Sequence, residues 1–406
     1  MNGRIITSDS EKILVEEILK IGPEAAGVGI MSPKGQFRII RLDGLKCAAA
    51  NILKQEMLSR GGEVVISNMV YRLEGNVTTN ALIMGTIAQF QALICKLRLQ
   101  PLKSLIEAAD ILTRLLEVPF APMKIGSKEF NWESRTYIMG IINVTPDSFS
   151  GDGLAGNVEK AVEQGKRFAA QGADILDIGG ESTRPGSEAV SADEELRRVI
   201  PVVKRLCRET SLPISIDTSK SEVAKAALSE GAAVINDVWG LNRDSGLKEV
   251  ISRANATVVI MHNRNASEKV AYESKTGGFY QGADYEDLIG EICHSLRDSI
   301  KLAVDAGIPF EKIVIDPGIG FGKTPEQNLT ILRRLAEFKS LGCPILLGTS
   351  RKSFIGRVLD RQPGERLFGT AASIALGIAA GANIVRVHDV DEMVQVARLT
   401  DAVLRA

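Results

Sequence analysis

The chain has 406 residues, of which 45% are hydrophobic and 24% charged, and a formal net charge of −1. This is the composition of a globular protein with a sizeable core, and the length suits a barrel of about 250 residues plus an added domain. The near-neutral charge gives no basis for binding nucleic acid or an anionic membrane surface, and no apolar run approaches the roughly 20 residues of a membrane span. The five cysteines (Cys47, Cys95, Cys207, Cys293 and Cys343) form no Cys-x-x-Cys pair. They read as reduced thiols of a cytoplasmic protein, not as a disulfide framework. The N-terminal stretch MNGRIITSDSEK lacks the apolar segment of a secretory signal.

Residues 1–120 predict a small α+β domain. Ala26–Met31 and Phe37–Leu42 are apolar runs joined by Ser-Pro-Lys-Gly, which predicts a hairpin. Cys47–Leu58 has helical spacing and stops at Arg60-Gly61-Gly62. Glu63–Ser67 predicts a strand, and Thr79–Leu97 and Leu102–Leu116 predict two helices. No polar cluster here suggests a site, so stability, oligomerisation or partner docking is the expected role. Pro119, Pro122 and Gly126 mark residues 121–134 as a linker.

From residue 135 to 406 one pattern repeats. Apolar runs begin near residues 138, 174, 213, 233, 257, 312, 344 and 383. Unbroken apolar runs are the mark of buried parallel strands. Helical patterns lie between most of them: Val158, Ala161, Val162, Gly165 and Ala169 share one face, and Asp193–Arg208, Ser221–Ser229, Tyr285–Ala306, Pro325–Phe338, Leu367–Ala380 and Asp391–Leu404 are similar. Several helices end on a glycine just before the next strand, at Gly172, Gly231, Gly307 and Gly381. Eight such units predict an α/β fold, a (β/α)8 TIM barrel, beside the smaller N-terminal domain. A long fifth connection suggests an insertion around Asn263–Gly282.

Every strand ends in polar residues. They are Asn143 after the first; Asp177, then Glu181, Thr183, Arg184 and Pro185 after the second; Asp217 after the third; and Asn236 and Asp237 on the fourth. Met261 and His262 follow on the fifth, Asp316 ends the sixth, Ser350, Arg351, Lys352 and Ser353 follow the seventh, and Arg386, His388 and Asp389 lie on the eighth. In this fold the carboxyl ends of the strands carry the active site, so these residues predict one shared rim. Lys352, Arg386, Arg184 and the histidines offer an anion site. Asp217, Asp316 and Asn236 offer acceptors for a flat heterocycle with N–H donors. Asn143 with Asp147 suits Mg²⁺, a hard cation that keeps waters and meets substrate phosphates. The segment Gly318–Thr324 contains Gly-Lys-Thr, but Pro317 stands where a phosphate-binding loop needs its first glycine. His262 and His388 have no Cys or Glu at zinc-ligand spacing. His294 lies in a helical run and reads as a surface or packing residue.

The motifs NVTPDSFS, DIGGESTRPG, SIDTS, INDV, MHN, DPGIGFGKT, TSRKSFIG and RVHDV, in this order, closely resemble the dihydropteroate synthase family. The resemblance covers about 138–405 and leaves the first 120 residues unexplained. It implies an enzyme, a transferase of folate biosynthesis that condenses 6-hydroxymethyl-7,8-dihydropterin diphosphate with 4-aminobenzoate, releasing pyrophosphate. Carried over by motif, Asp217, Asn236, Asp316 and Lys352 would hold the pterin, with Met261, Phe321 and Gly348 nearby. Asn143, Arg386 and His388 would take the diphosphate and its Mg²⁺, and Phe149, Thr183, Arg184, Pro185 and Ser353 would shape the aminobenzoate site. Asp217, Lys352, Arg386 and His388 would carry the catalysis. The loops after the first two strands would close over the reaction, and the family is typically dimeric, which implies a homodimer.

The arylamine is already a nucleophile and pyrophosphate a good leaving group once neutralised, so an SN1-like path is expected. The first loop reads SGDG where some family members have SDGG, and the segment after His262 is polar; both bear on loop behaviour more than on chemistry. A methyltetrahydrofolate:corrinoid methyltransferase shares a pterin-binding barrel but has no use for a diphosphate site. A catalytically dead pterin sensor would have lost Asn143, Asp217 or Lys352, and all three are present.

Overall fold

The computed structural model describes residues 3–6, 11–68, 70, 77–116, 120–145, 157–182, 190–264, 270–273, 277–280 and 284–406. It divides into two units, Met1–Val118 and Pro119–Ala406.

The first unit opens with α1 (Glu11–Lys20) and α2 (Ala25–Gly35) and continues with β1 (Phe37–Lys46), α3 (Cys47–Leu58) and β2 (Glu63–Ile66). β3 (Thr78–Thr86), α4 (Ile87–Arg98) and α5 (Lys103–Leu116) complete it. The strands form an antiparallel sheet in the order β1-β3-β2. One face, with Ile40, Leu42, Val64, Ala81 and Ile83, packs on Leu53, Met57, Phe90, Leu93, Leu105 and Leu112 of α3, α4 and α5. Two expectations are corrected here. Ala26–Met31 is not a strand but part of α2, because a short apolar run fits either element. Residues 79–86 are not helical. Their Ala, Leu and Met favour a helix, yet Thr79, Ala81 and Ile83 alternate inward as a strand requires. The helix starts only at Thr86, where a capping box with Gln89 satisfies both backbone N–H groups.

The second unit begins with a hairpin of β4 (Met123–Ile125) and β5 (Lys128–Phe130), in the segment expected as a linker. Met123, Ile125, Phe130 and Trp132 pack on Tyr137, Ile175, Val234, Val314, Leu346 and Ile384, which stand at the starts of the barrel strands. The hairpin therefore plugs the amino-terminal end of the barrel, and the carboxyl end is the mouth.

The barrel strands are β6 (Tyr137–Asn143), β7 (Ile175–Gly179), β8 (Ile214–Asp217), β9 (Val234–Asp237), β10 (Thr257–Met261), β13 (Ile313–Asp316), β14 (Leu346–Leu347) and β15 (Ile384–Val387). All pair in parallel, each with its neighbour in sequence. β15 pairs with β6, and an Ile315–Ile345 bridge joins the sixth and seventh strands, closing the ring. The expected insertion carries a hairpin of β11 (Val270–Glu273) and β12 (Gly277–Tyr280). The helices are α6 (Val158–Gln171), α7 (Ala192–Glu209), α8 (Ser221–Ser229), α9 (Leu247–Ala254), α10 (Leu288–Asp305), α11 (Pro325–Arg333), α12 (Ser353–Leu359), α13 (Leu367–Ala379) and α14 (Val390–Arg405). α9 and α12 escape sequence reading because each is barely two turns long. Gly172, Gly231, Gly307 and Gly381 all follow helices at positive φ, the conformation that lets the chain turn into the next strand.

Candidate active site

Strand register builds the site. Asn143, Gly179, Asp217 and Asn236 are successive partners across β6, β7, β8 and β9, so they form one row at the barrel mouth. A Cβ placed on Gly179 would lie 3.6 Å from the Asp217 Cβ and 3.9 Å from the Asn143 Oδ1. Asn143 and Asp217 thus flank a position with no side chain, which leaves room between them.

Arg386 on β15 crosses the barrel interior. Its Nε donates to Asp177 Oδ2 and its Nη2 to Asp217 Oδ2, both at 2.7 Å. Asn236 Nδ2 also points at Asp177 Oδ2, at 3.5 Å. Burial raises the Asp217 carboxyl to about 7, against the opposing pull of Arg386. Asp217 can therefore exchange a proton near neutral pH.

The sixth strand supplies the other half. Asp316 is the partner of Met261 across β10 and β13, and both are buried. Burial raises the Asp316 carboxyl, with Lys352 opposing. Lys352 donates its Nζ to the Ile319 carbonyl and lies 4.8 Å from the Phe321 ring centroid, a cation–π distance. Burial brings its ammonium down to about 8. A Cβ on Gly348 would meet Lys352 Nζ at 3.8 Å and Arg386 Cβ at 3.9 Å, so the glycine keeps the gap between the two cations open. His388 is oriented by Ser350, whose Oγ accepts from the His388 backbone N–H at 3.2 Å and lies 2.9 Å from Nδ1. The mouth thus gathers acceptors, an amide and two cations, the set that grips a polar heterocycle and an attached anion.

The comparisons with known proteins agree with this geometry. The profile of a family described as pterin binding enzyme matches residues 139–388. Dihydropteroate synthase of Clostridium beijerinckii is 47% identical over 284 residues, which is 70% of this chain and 100% of that protein. This chain belongs to the dihydropteroate synthase family. It is accordingly a transferase. A dihydropteroate synthase structure from Clostridium difficile, determined in the presence of pteroic acid, shares 51% identity with a TM-score of 0.62, covering 68% of this chain and 100% of that one. A Halobacterium salinarum protein, named probable bifunctional folylpolyglutamate synthase/dihydropteroate synthase, is 41% identical over 377 residues, 93% of this chain and 44% of its own length. That alignment is longer than the barrel unit, so it takes in part of the N-terminal unit too.

Against this family frame, the structure brings Asn143, Asp217, Asn236, Asp316, Met261, Lys352, Phe321, Gly348, Arg386 and His388 to the same end of the barrel. Ser353 opens α12, directly after Lys352. Asp147, Phe149, Thr183, Arg184 and Pro185 lie outside the described residues. His262 is corrected. It is buried, burial and the nearby Lys323 and Arg264 push its imidazole down to about 2, and as a neutral ring it offers an anion no charge. Asp237 serves the fold, accepting from the backbone N–H groups of Trp239 at 3.0 Å and Leu241 at 2.6 Å. His294 sits exposed on α10, 3.6 Å from Asp298.

Two features were missed from sequence. Asp177 was noted only as a strand end, yet it is the buried anchor of Arg386. Lys323, set aside with the Gly-Lys-Thr motif, is buried and donates to the carbonyls of Gly318 at 2.8 Å, Phe321 at 2.9 Å and His262 at 3.4 Å. It gathers the Gly318–Phe321 loop around its own ammonium, so it has no part in a phosphate loop. The one signal was a lysine inside a glycine-rich apolar stretch.

For Mg²⁺, no group of three or more His, Cys, Asp or Glu side chains converges among the described residues. The half-buried Asn143, beside the open position at Gly179, supplies one oxygen. A single amide oxygen fits an ion that keeps most of its waters and takes the rest of its ligands from substrate.

Proposed function

We propose that the chain condenses 6-hydroxymethyl-7,8-dihydropterin diphosphate with 4-aminobenzoate to give 7,8-dihydropteroate and pyrophosphate, in folate biosynthesis. The observation that carries this is the convergence of Asp217, Asn236, Asp316 and Lys352 beside Arg386 and His388 in a chain of this family. Pteroic acid, present with the Clostridium difficile relative, joins a pterin to 4-aminobenzoate and so corresponds in kind to the product.

Asp217, Asn236 and Asp316 accept from the pterin N–H groups, and Lys352 donates to its carbonyl side. Arg386 and His388 face the diphosphate, and Phe149, Thr183, Arg184, Pro185 and Ser353 receive the aminobenzoate. Asn143 would hold Mg²⁺, which when bound supplies neutralising charge to the diphosphate oxygens. The carbon–oxygen bond to the diphosphate breaks ahead of attack, and the cationic pterin so formed is stabilised by the buried carboxylates. The arylamine nitrogen then adds and loses its proton to water or a rim acceptor. Release of pyrophosphate in a single turnover without 4-aminobenzoate supports this order; a strict requirement for the amine refutes it.

A homodimer is the assembly we favour, supported by the exposed Phe368 and Leu376 on α13 and Leu399 and Val403 on α14. A monomer in sedimentation at micromolar concentration would refute it. Five free thiols support a reducing, cytoplasmic setting. The central test is a product assay with both substrates and Mg²⁺ beside a K352A control. Dihydropteroate from the wild type, lost in K352A, upholds the function; a folded wild type that binds pterin but makes no product overturns it.

A further inference from the structure

Lys352 and His388 stand on neighbouring loops, and the residue next to each one binds the other loop. Arg351 precedes Lys352 and Asp389 follows His388. Arg351 donates Nε to Asp389 Oδ2 at 3.0 Å and Nη2 to Oδ1 at 2.5 Å. Two parallel bonds from a planar guanidinium fix both distance and angle, which a lysine cannot do. The Ser350 bonds to His388 are a second link between the same loops, one residue away.

The backbone at Arg351 sharpens the point. Its φ is +57°, a left-handed conformation that glycine adopts freely and other residues resist. Two contacts hold it there. Its N–H donates to Thr370 Oγ1 at 3.1 Å, its carbonyl accepts from Arg366 Nη1 at 2.9 Å, and Arg366 is itself buried. A glycine would suit this backbone better. What an arginine adds is the fork onto Asp389.

We infer that Arg351 is a positioning residue, whose paired bonds to Asp389 lock the loops after β14 and β15 together and so set Lys352 and His388 relative to each other. The effect on turnover rests on the function proposed above, and it falls mainly on the pterin diphosphate, which Lys352 and His388 hold. R351G relaxes the backbone while removing the fork; D389N keeps the shape and removes the charge. In both, kcat/KM for the pterin diphosphate is expected to fall about tenfold to a hundredfold, as misplaced catalytic groups do, with KM for 4-aminobenzoate changed by less than about threefold. The double variant should be no worse than the poorer single one, because both break one contact. R351K should remain impaired, since an ammonium cannot fork.

A readout independent of turnover comes from the imidazole ¹⁵N signals of the chain's three histidines. In R351G the His388 Nδ1 resonance should lose the signature of its Ser350 bond, with little change in thermal midpoint. The inference is overturned if R351G keeps kcat/KM within about twofold, a difference too small for a displaced site. It is equally overturned if the His388 signals are unchanged, or if only the melting temperature falls. Should the wild type make no dihydropteroate, the function fails, and the His388 signals alone then decide the positioning role.

Discussion

The Arg386 crossing can be tested by thermodynamics as well as by catalysis. R386Q leaves Asp177 and Asp217 facing each other with no cation, one carboxylate wholly buried and the other nearly so. Removing one partner of a buried ion pair costs roughly 3–5 kcal/mol; Arg386 keeps 21% of its side chain in water, so the lower end, about 3 kcal/mol, is expected. For a unit of this size that lowers the melting temperature by about 6–12 °C.

The loss should depend on pH in a definite direction. Asp217 has a folded pKa of about 7, raised above its ordinary 3.8, so the stability it contributes is complete below 3.8 and is lost as pH rises through about 7. Without Arg386 its pKa rises further, so the gap between R386Q and wild type should be smaller near pH 4, where only the lost Asp177 pair counts, and should widen as pH rises through about 7 to 8. Both tryptophans, Trp132 and Trp239, lie in the barrel unit, so their fluorescence follows barrel unfolding alone. R386Q/D217N should recover part of the loss at the higher pH, since it removes one stranded charge. Equal gaps at both pH values would refute the electrostatic account.

Three further outcomes are expected. G318A should destabilise the barrel by about 3 kcal/mol, because its φ is +71° and the new Cβ would lie 1.9 Å from the His262 carbonyl oxygen; urea denaturation checks this, and a loss below about 1 kcal/mol would contradict it. A chain starting at Pro119 should fold and keep most of its activity, because each unit has its own core and the Clostridium beijerinckii relative is matched over its whole length by 70% of this chain; a product assay on the truncated chain decides it. N143A should raise the Mg²⁺ concentration needed for half-maximal rate by about tenfold while pterin binding is unchanged; an unaltered Mg²⁺ titration would remove Asn143 from the metal site.

Much of the barrel could be read from sequence because its signals are local. A buried parallel strand must be apolar along its length, and the turn out of a helix needs a glycine such as Gly172 or Gly381, so eight strands and most helices announce themselves. The polar residues at the strand ends were visible for the same reason, and the fold's closure then requires them to share a rim. Lost in sequence was whatever depends on partners far along the chain. Residues 79–86 look helical until β1 and β2 hold them in a sheet, and residues 121–134 look like a linker until the open end of a barrel is there to bury Trp132 and Phe130. His262 reads as a rim cation until burial neutralises it, while Asp177 and Lys323 gain their roles only from Arg386 and from three converging carbonyls. Sequence determined which residues stand at the mouth. Tertiary structure decided which of them are charged and which are already held by one another, because burial and pairing are properties of neighbours that the chain order does not contain.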